Sequence, residues 1–242
     1  MPASDRDSAA LSIAAGSADD AAALARLEHR LPPLLSVIAG MVDLTGFFTL
    51  GNIFTAHITG NLVVAAAVAV RGGPVNPAQL LAIPVFMLAL AAVWTIARAS
   101  RRPALGLARL LLSIQLILLG AVLIFGVLTR PSTNPHGPMA AIAAMIAVSA
   151  MACQYALLRL AIPGAISTAV MTGNLTNTVL SLLDLLSKDR LLMANDRERL
   201  KRSVHLLLGF LLGCVIAAAA VFLLADWAWA FPVALAAAAL AS

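Results

Sequence analysis

The sequence predicts an all-α, polytopic membrane protein with six spanning helices and two short broken or re-entrant helices, arranged as a 3+3 inverted repeat. Three observations predict this class: a very apolar composition, an internal duplication and an uneven distribution of basic residues. Of the 242 residues, 62% are hydrophobic and only 11% are charged, and the mean hydropathy is +0.97. Soluble domains are about half apolar and about a quarter charged. The composition therefore excludes a water-soluble globular fold.

Eight apolar segments follow a polar N-terminal region. Residues 1–30 lack the basic start and apolar stretch of a secretory signal, so we expect a flexible polar tail. The second and sixth apolar segments follow interruptions at Gly51-Asn52 and Pro163-Gly164. A full span needs roughly 20 residues, which makes these interrupted regions ambiguous. The predicted segments are 34–50, 54–70, 79–97, 107–128, 138–158, 165–187, 203–224 and 227–242.

The two interrupted regions resemble each other in sequence. Residues 55–61 and residues 168–174 are identical at five of seven positions, at an offset of 113 residues, and both end in Thr-Gly-Asn. Thr-Gly-Asn is not a low-complexity string, so chance is a poor explanation in this Ala-rich chain. The duplication predicts two membrane repeats, residues 31–130 and residues 131–242.

The basic residues predict how the repeats are oriented. If all eight segments spanned the membrane, the Arg and Lys residues would divide eleven to five. If 54–70 and 165–187 do not change sides, fourteen lie inside and only Arg71 and Arg130 lie outside. The positive-inside rule favours the second arrangement. It has three crossings per half, which inverts the second repeat and places both termini in the cytoplasm.

Each repeat carries polar residues where a short helix starts after an interruption. Thr and Asn side chains donate and accept hydrogen bonds, and a helix N-terminus favours anions. Secondary transporters bind solutes near the midplane where such broken helices meet. We therefore expect a small polar or anionic solute between the two helix starts, although capping and close helix packing would use the same residues. The predicted binding residues are Thr55, Thr59, Gly60, Asn61, Thr168, Thr172, Gly173, Asn174 and Asn177.

A titratable pair is present in the first repeat alone. Asp43 is an acid inside an apolar segment, where an unpaired charge costs several kcal/mol. Its counterpart in the second repeat is the neutral Gln154, and His57 corresponds to Val170. One titratable site is enough for a proton-coupled carrier, so Asp43, His57 and Gln154 are the predicted coupling positions. The alternative is structural, with these side chains bonding the backbone that the interruption opens.

No catalytic or cofactor-binding pattern accompanies these residues. The sequence has no phosphate-binding loop, nucleophile elbow or metal-ligand spacing, and no basic stretch interleaved with aromatics. We therefore expect neither an enzyme, nor a cofactor, nor a nucleic-acid partner. The favoured function is a small secondary transporter (permease), compatible with a homodimer in the lipid bilayer because the protomer is small. A passive channel or facilitator, and a non-transporting membrane scaffold or sensor, are the alternatives.

The segment from Gly40-Met41-Val42-Asp43 to the first Thr-Gly-Asn resembles the YoaK-like family of small bacterial inner-membrane proteins. The second Thr-Gly-Asn block, with Gln154 upstream, is similar to the same family pattern, and the likeness covers roughly residues 31–225. The resemblance implies a domain of unknown function with about six membrane helices. It supports the fold and implies no substrate.

Overall fold

The computed structural model describes residues 3–168, 171–186 and 193–241, and this part of the chain is helical without any β-strand. The predicted all-α class is therefore confirmed. Short 3-10 turns lie at Pro131–Thr133 and Ala225–Trp229. The α-helices are α1 (Ala3–Thr49), α2 (Gly60–Val70), α3 (Pro77–Ser100), α4 (Ala104–Thr129), α5 (Pro138–Leu160), α6 (Met171–Leu186), α7 (Met193–Leu224) and α8 (Ala230–Ala241).

Within the described residues, five helical stretches are long and apolar enough to cross a membrane. They are Ala22–Thr49, Pro77–Ser100, Ala104–Thr129, Pro138–Leu160 and Arg197–Ala241. The last stretch has 45 residues and includes the 3-10 turn between α7 and α8. At about 1.5 Å per residue it is roughly twice as long as the ~30 Å hydrocarbon core requires. The six-span repeat and the division into a tail and two repeats stay predictions. The helix α1 begins at Ala3, within the predicted tail.

Both predicted interruptions lie between helices. After α1, Gly51 (φ +81°) and Asn52 (φ +58°) adopt left-handed backbone conformations that reverse the chain. A Cβ on Gly51 would also collide with the carbonyl oxygen of Pro135, so the turn needs glycine for two reasons. In the second interruption, Gly164 packs directly against the Glu28 carboxylate of α1. Val170, the predicted counterpart of His57, lies outside the described residues.

Small residues allow the helices to approach closely. α1 packs on α7, where a Cβ on Gly213 would meet the carbonyl oxygen of Val37 and one on Gly40 that of Phe210. α5 packs on α3 and α4 with a face of alanines that are fully buried. Tight packing of this kind is what drives helix association in lipid. It places α1 and α5, which precede the two interruptions, at the centre of the bundle.

Candidate functional site

The carboxylate of Asp43 holds the first interrupted segment against α1. Its Oδ1 accepts the backbone N–H groups of Thr55 and Ala56 at 2.8 Å each and that of His57 at 3.4 Å. Asp43 is buried, and three converging donors offset much of the cost of burying its charge. The segment that follows Gly51 therefore turns back along α1 until it lies level with Asp43.

The imidazole of His57 contacts the second oxygen of the same carboxylate. Its Nδ1 lies 2.7 Å from Asp43 Oδ2, and its ring packs edge-on against Phe210 of α7 with 5.1 Å between ring centroids. About a third of the His57 side chain is exposed. Among the described residues Nε2 has no hydrogen-bond partner. The structure thus joins the two predicted coupling residues of the first repeat into one pair with an open side.

The two Asn residues of the Thr-Gly-Asn segments make equivalent contacts. Asn61 Nδ2 donates to the carbonyl of Phe54 at 2.8 Å, and Asn61 Oδ1 accepts the Phe54 N–H at 2.8 Å. Asn174 Nδ2 donates to the carbonyl of Ser167 at 3.0 Å. Phe54 and Ser167 are separated by the same 113 residues as the two Asn residues. Both side chains are buried and close the loop that precedes their own helix.

Gln154, the predicted counterpart of Asp43, makes contacts of a different chemistry. Its Nε2 donates to the carbonyl of Leu35 at 3.0 Å and to Thr168 Oγ1 at 3.3 Å, and its Oε1 accepts from Gln115 Nε2 at 2.7 Å. It therefore links its own interrupted segment to α1 and α4. A neutral amide needs no counter-ion, so this half of the bundle contains no counterpart of the Asp43–His57 pair within the described residues.

The predicted threonines divide into buried and exposed positions. Thr55 and Thr168 are fully buried, and the Thr55 hydroxyl has no hydrogen-bond partner among the described residues. Thr59 and Thr172 are exposed, and Thr59 precedes α2 without a side-chain cap bond. The glycines that follow them are half-buried. Burial therefore separates the first Thr of each repeated block from the second.

The two Thr-Gly-Asn helices contact different neighbours. α2 packs on α3, whereas α6 packs on α7. The first interrupted segment also contacts α5 and α7: the Tyr155 hydroxyl donates to the Ala56 carbonyl at 2.9 Å, and Phe210 packs edge-on against the His57 ring. Asn177 on α6 accepts from Arg199 of α7 at 3.0 Å. Which of these residues bind a solute stays a prediction.

The end of the bundle beyond the first interruption is closed by side chains of the α3 start. Asn76 Nδ2 donates to the Gly51 carbonyl at 3.2 Å, and Gln79 Nε2 donates to the Asn52 carbonyl at 3.2 Å. Gln79 is buried, and Asn76 also caps α3 by accepting the Ala78 N–H at 3.0 Å. The reversal of the chain is thereby fixed to the next spanning helix.

The end beyond the second interruption is open. A cavity of about 200 Å³ lies between the middle of α1, the N-terminal half of α7 and the second interrupted segment. Arg202 of α7 lies 3.9 Å from Glu28 of α1 and 3.2 Å from Glu198 on its own helix. Its lining residues are Glu28, His29, Pro32, Pro33, Ile166, Glu198, Lys201, Arg202, His205 and Leu206.

Sequence reasoning missed the residues that fix the loops from a distance. Tyr155, Asn76 and Gln79 each bond the first interrupted segment, yet they are 25 to 99 residues away in sequence. The Asn76-Pro77 pair signals a helix start. Nothing in the local pattern indicates that Asn76 also reaches Gly51. Among the described residues, no group of three His, Cys, Asp or Glu side chains could hold a metal ion.

A family model described as "Protein of unknown function (DUF1275)" matches residues 31–242. The chain belongs to this family. The resemblance to YoaK-like proteins is consistent with the match. Comparison with the curated proteins and with the solved structures gives no match. The apolar helices indicate a membrane protein, and the family description gives no function.

Proposed function

We propose that the protein is a small secondary transporter that moves a polar or anionic solute across the bacterial inner membrane, with Asp43 and His57 as its coupling pair. The observation that carries the proposal is the pair of interrupted segments, each closed by an Asn side chain. Only the first segment is joined to an acid and an imidazole, those of Asp43 and His57. Broken helices at corresponding positions of two repeats mark the solute site in many transporters.

The helix packing supports an inverted repeat. If α1, α2, α3 and α4 correspond to α5, α6, α7 and α8, the observed contacts exchange with one another. The α1–α7 contact becomes α5–α3, α2–α3 becomes α6–α7, α4–α5 becomes α8–α1, and α4–α8 maps onto itself. A two-fold relation between the repeats accounts for all of these pairings, whereas an arrangement without internal symmetry has no reason to produce them.

The helix ends support six crossings with two re-entrant segments. Two cavities lie at one end of the bundle, and α1 lines both of them. The other lining groups include Arg202 of α7, Arg109 near the start of α4 and the end of α8, and Glu28 is among the α1 residues. At the far end of α1, Gly51 contacts the start of α3, and Thr49 accepts from Trp229 of the turn before α8. The segment that contains α2 therefore begins and ends at the same end of the bundle, as a re-entrant segment does. By the positive-inside rule the arginine-rich end faces the cytoplasm.

The Asp43–His57 pair supports coupling because it links a titratable ring to the loop backbone. Oδ1 of Asp43 binds the loop, while Oδ2 binds the ring whose other nitrogen is open. Protonation of the carboxylate would remove the acceptor charge that three backbone N–H groups share. The loop would then be held less tightly, which is the change an alternating-access step requires.

The unequal ends support a cytoplasm-facing state. The first interruption is sealed by Asn76 and Gln79, while the cavity beside the second opens at the basic end. Arg199 and Asn177, which join α7 and α6 near that end, would line the exit for an anion. Alternating access would require α1 and α7 to close this cavity as the Asn76 contact opens.

A ligand screen tests the proposal. Purified protein is heated in detergent with organic anions, amino acids, nucleobases and inorganic ions, because a ligand stabilises by about 2.7 kcal/mol at a hundred times its dissociation constant. The wild type is compared with Asn61→Ala/Asn174→Ala and with Thr59→Ala/Thr172→Ala. The threonines are exposed, so the second variant should fold normally. We expect a stabilising solute whose effect falls in both variants; a solute effect that is unchanged in both would remove the site.

A passive facilitator is the second candidate, favoured by the Gln154 half of the bundle, which has no titratable group at the equivalent position. Asp43→Asn separates the two functions. A coupled carrier loses solute accumulation driven by a proton gradient, whereas a facilitator keeps the same downhill flux at every pH.

A further inference from the structure

Three arginines surround a second cavity at the basic end of the bundle. The cavity has a volume of about 170 Å³ and lies between the start of the α1 span, the start of α4 and the end of α8. Arg26, Arg30 and Arg109 line it, and all three are exposed. Its other lining residues are Ala23, Leu27, Leu105, Ala108, Leu112, Ala239 and Leu240. The cavity does not involve either interrupted segment.

The charge around this cavity is uncompensated by the described residues. No carboxylate lies within 4.0 Å of these guanidinium groups in the part of the chain that the structure describes, in contrast to Arg202, which has two. Three positive charges around one small cavity attract an anion. Arginine binds phosphate in a bidentate geometry, which makes a phosphate group the best match.

The start of α4 adds free donors to the same cavity. Pro103 precedes the helix without a side-chain cap bond, and the first turn contains no acidic residue. The N–H groups of that turn therefore remain open to an anion. The end of α8 contributes a partial negative charge of about half a unit, which roughly cancels the partial positive charge of α4. The three full positive charges of the arginines therefore decide the sign of the electrostatic potential in the cavity.

Apolar side chains line the cavity beside the arginines. They include Leu27, Leu112 and Leu240. A free phosphate ion would gain nothing from these side chains, whereas the glycerol and first acyl carbons of a lipid would cover them. Basic pockets between helices on the cytoplasmic side are suited to anionic headgroups. We infer that this cavity binds the phosphate of an anionic diacyl phospholipid of the cytoplasmic leaflet.

The test uses delipidated protein in a neutral detergent. Native mass spectrometry and thermal unfolding are measured with phosphatidylglycerol, cardiolipin, phosphatidylcholine and inorganic phosphate. The site variant is Arg26→Gln/Arg30→Gln/Arg109→Gln. The matched control is Arg98→Gln/Arg101→Gln/Arg102→Gln, which removes the same charge at the same end, outside the cavity. Each lost Arg–phosphate contact should weaken binding about tenfold, since such bonds are among the strongest in proteins.

We expect one tightly bound phosphatidylglycerol or cardiolipin in the wild type and in the control variant, and its loss in the site variant. Equal lipid binding by the two triple variants would overturn the site, because it would indicate a diffuse basic surface. Stabilisation by inorganic phosphate as strong as that by lipid would also overturn it and indicate a soluble anion. If the triple variant does not fold, the three single variants replace it, and each should weaken binding by about tenfold.

Discussion

Replacing Asp43 provides the strongest test of how the first interrupted segment is held. In Asp43→Ala the Thr55 and Ala56 N–H groups, both at 2.8 Å from Oδ1, lose their acceptor in a buried position. Each unsatisfied donor costs about 1–3 kcal/mol, so the variant should lose about 2–6 kcal/mol. Asp43→Asn keeps an acceptor oxygen and loses only the charge assistance, which is about 1–2 kcal/mol in total.

The measurement is the free energy of unfolding in mixed micelles, followed by tryptophan fluorescence as a denaturing detergent is added. Asp43→Asn is the internal control, because it has nearly the same size and keeps one acceptor oxygen. Asp43→Ala should be the less stable variant by about 2–3 kcal/mol, taken from the midpoints of the two ranges. Equal stability of the Ala and Asn variants, or of Ala and the wild type, would refute the loop-holding role of the carboxylate.

Three further predictions concern the repeats and their packing. Asn61→Ala should cost about 2 kcal/mol, since its side chain makes two loop-closing bonds, and Asn174→Ala should also destabilise the protein because its side chain closes the second loop; an unchanged thermal unfolding temperature in either variant would contradict this. Gly213→Ala should cost about 1–3 kcal/mol because its Cβ meets α1 backbone, whereas Gly120→Ala, with open space around it, should leave the melting temperature unchanged or higher. A single cysteine at Arg71, with both natural cysteines replaced, should react with an impermeant thiol reagent from outside the cell; labelling from the cytoplasm alone would mean that residues 54–70 span the membrane.

Much of the fold follows from patterns that a sequence displays directly. The long apolar runs predict the helices because burying backbone in lipid requires every hydrogen bond to be made within the segment. The repeated Thr-Gly-Asn blocks predict two equivalent segments, and both turn out to follow an interruption and to close their loops through Asn61 and Asn174. The predicted break between segments 203–224 and 227–242 lies where α7 ends at Leu224 and the 3-10 turn Ala225–Trp229 begins.

The contacts of the candidate site were only partly predictable. Asp43 and His57 are 14 residues apart, and their polarity in an apolar region indicates that they must find partners. Their contact depends on how far the chain turns back after Gly51. Asn76 and Gln79, at the start of α3, hold this turn in place. Tyr155 reaches the same loop from the other repeat. Such long-range contacts have no periodicity, so the sequence contains no local signal for them.

Proton-linked flux is the most direct measurement of the central claim that the protein is a coupled transporter. Purified protein is reconstituted into liposomes that contain a pH-sensitive dye, and each solute class of the ligand screen is added outside. Liposomes with Asp43→Asn protein are the matched control. The account predicts that a solute which stabilises the wild type also moves protons into wild-type liposomes and moves none with Asp43→Asn. Uptake of that solute at the same rate by both proteins, without any change in internal pH, would contradict it.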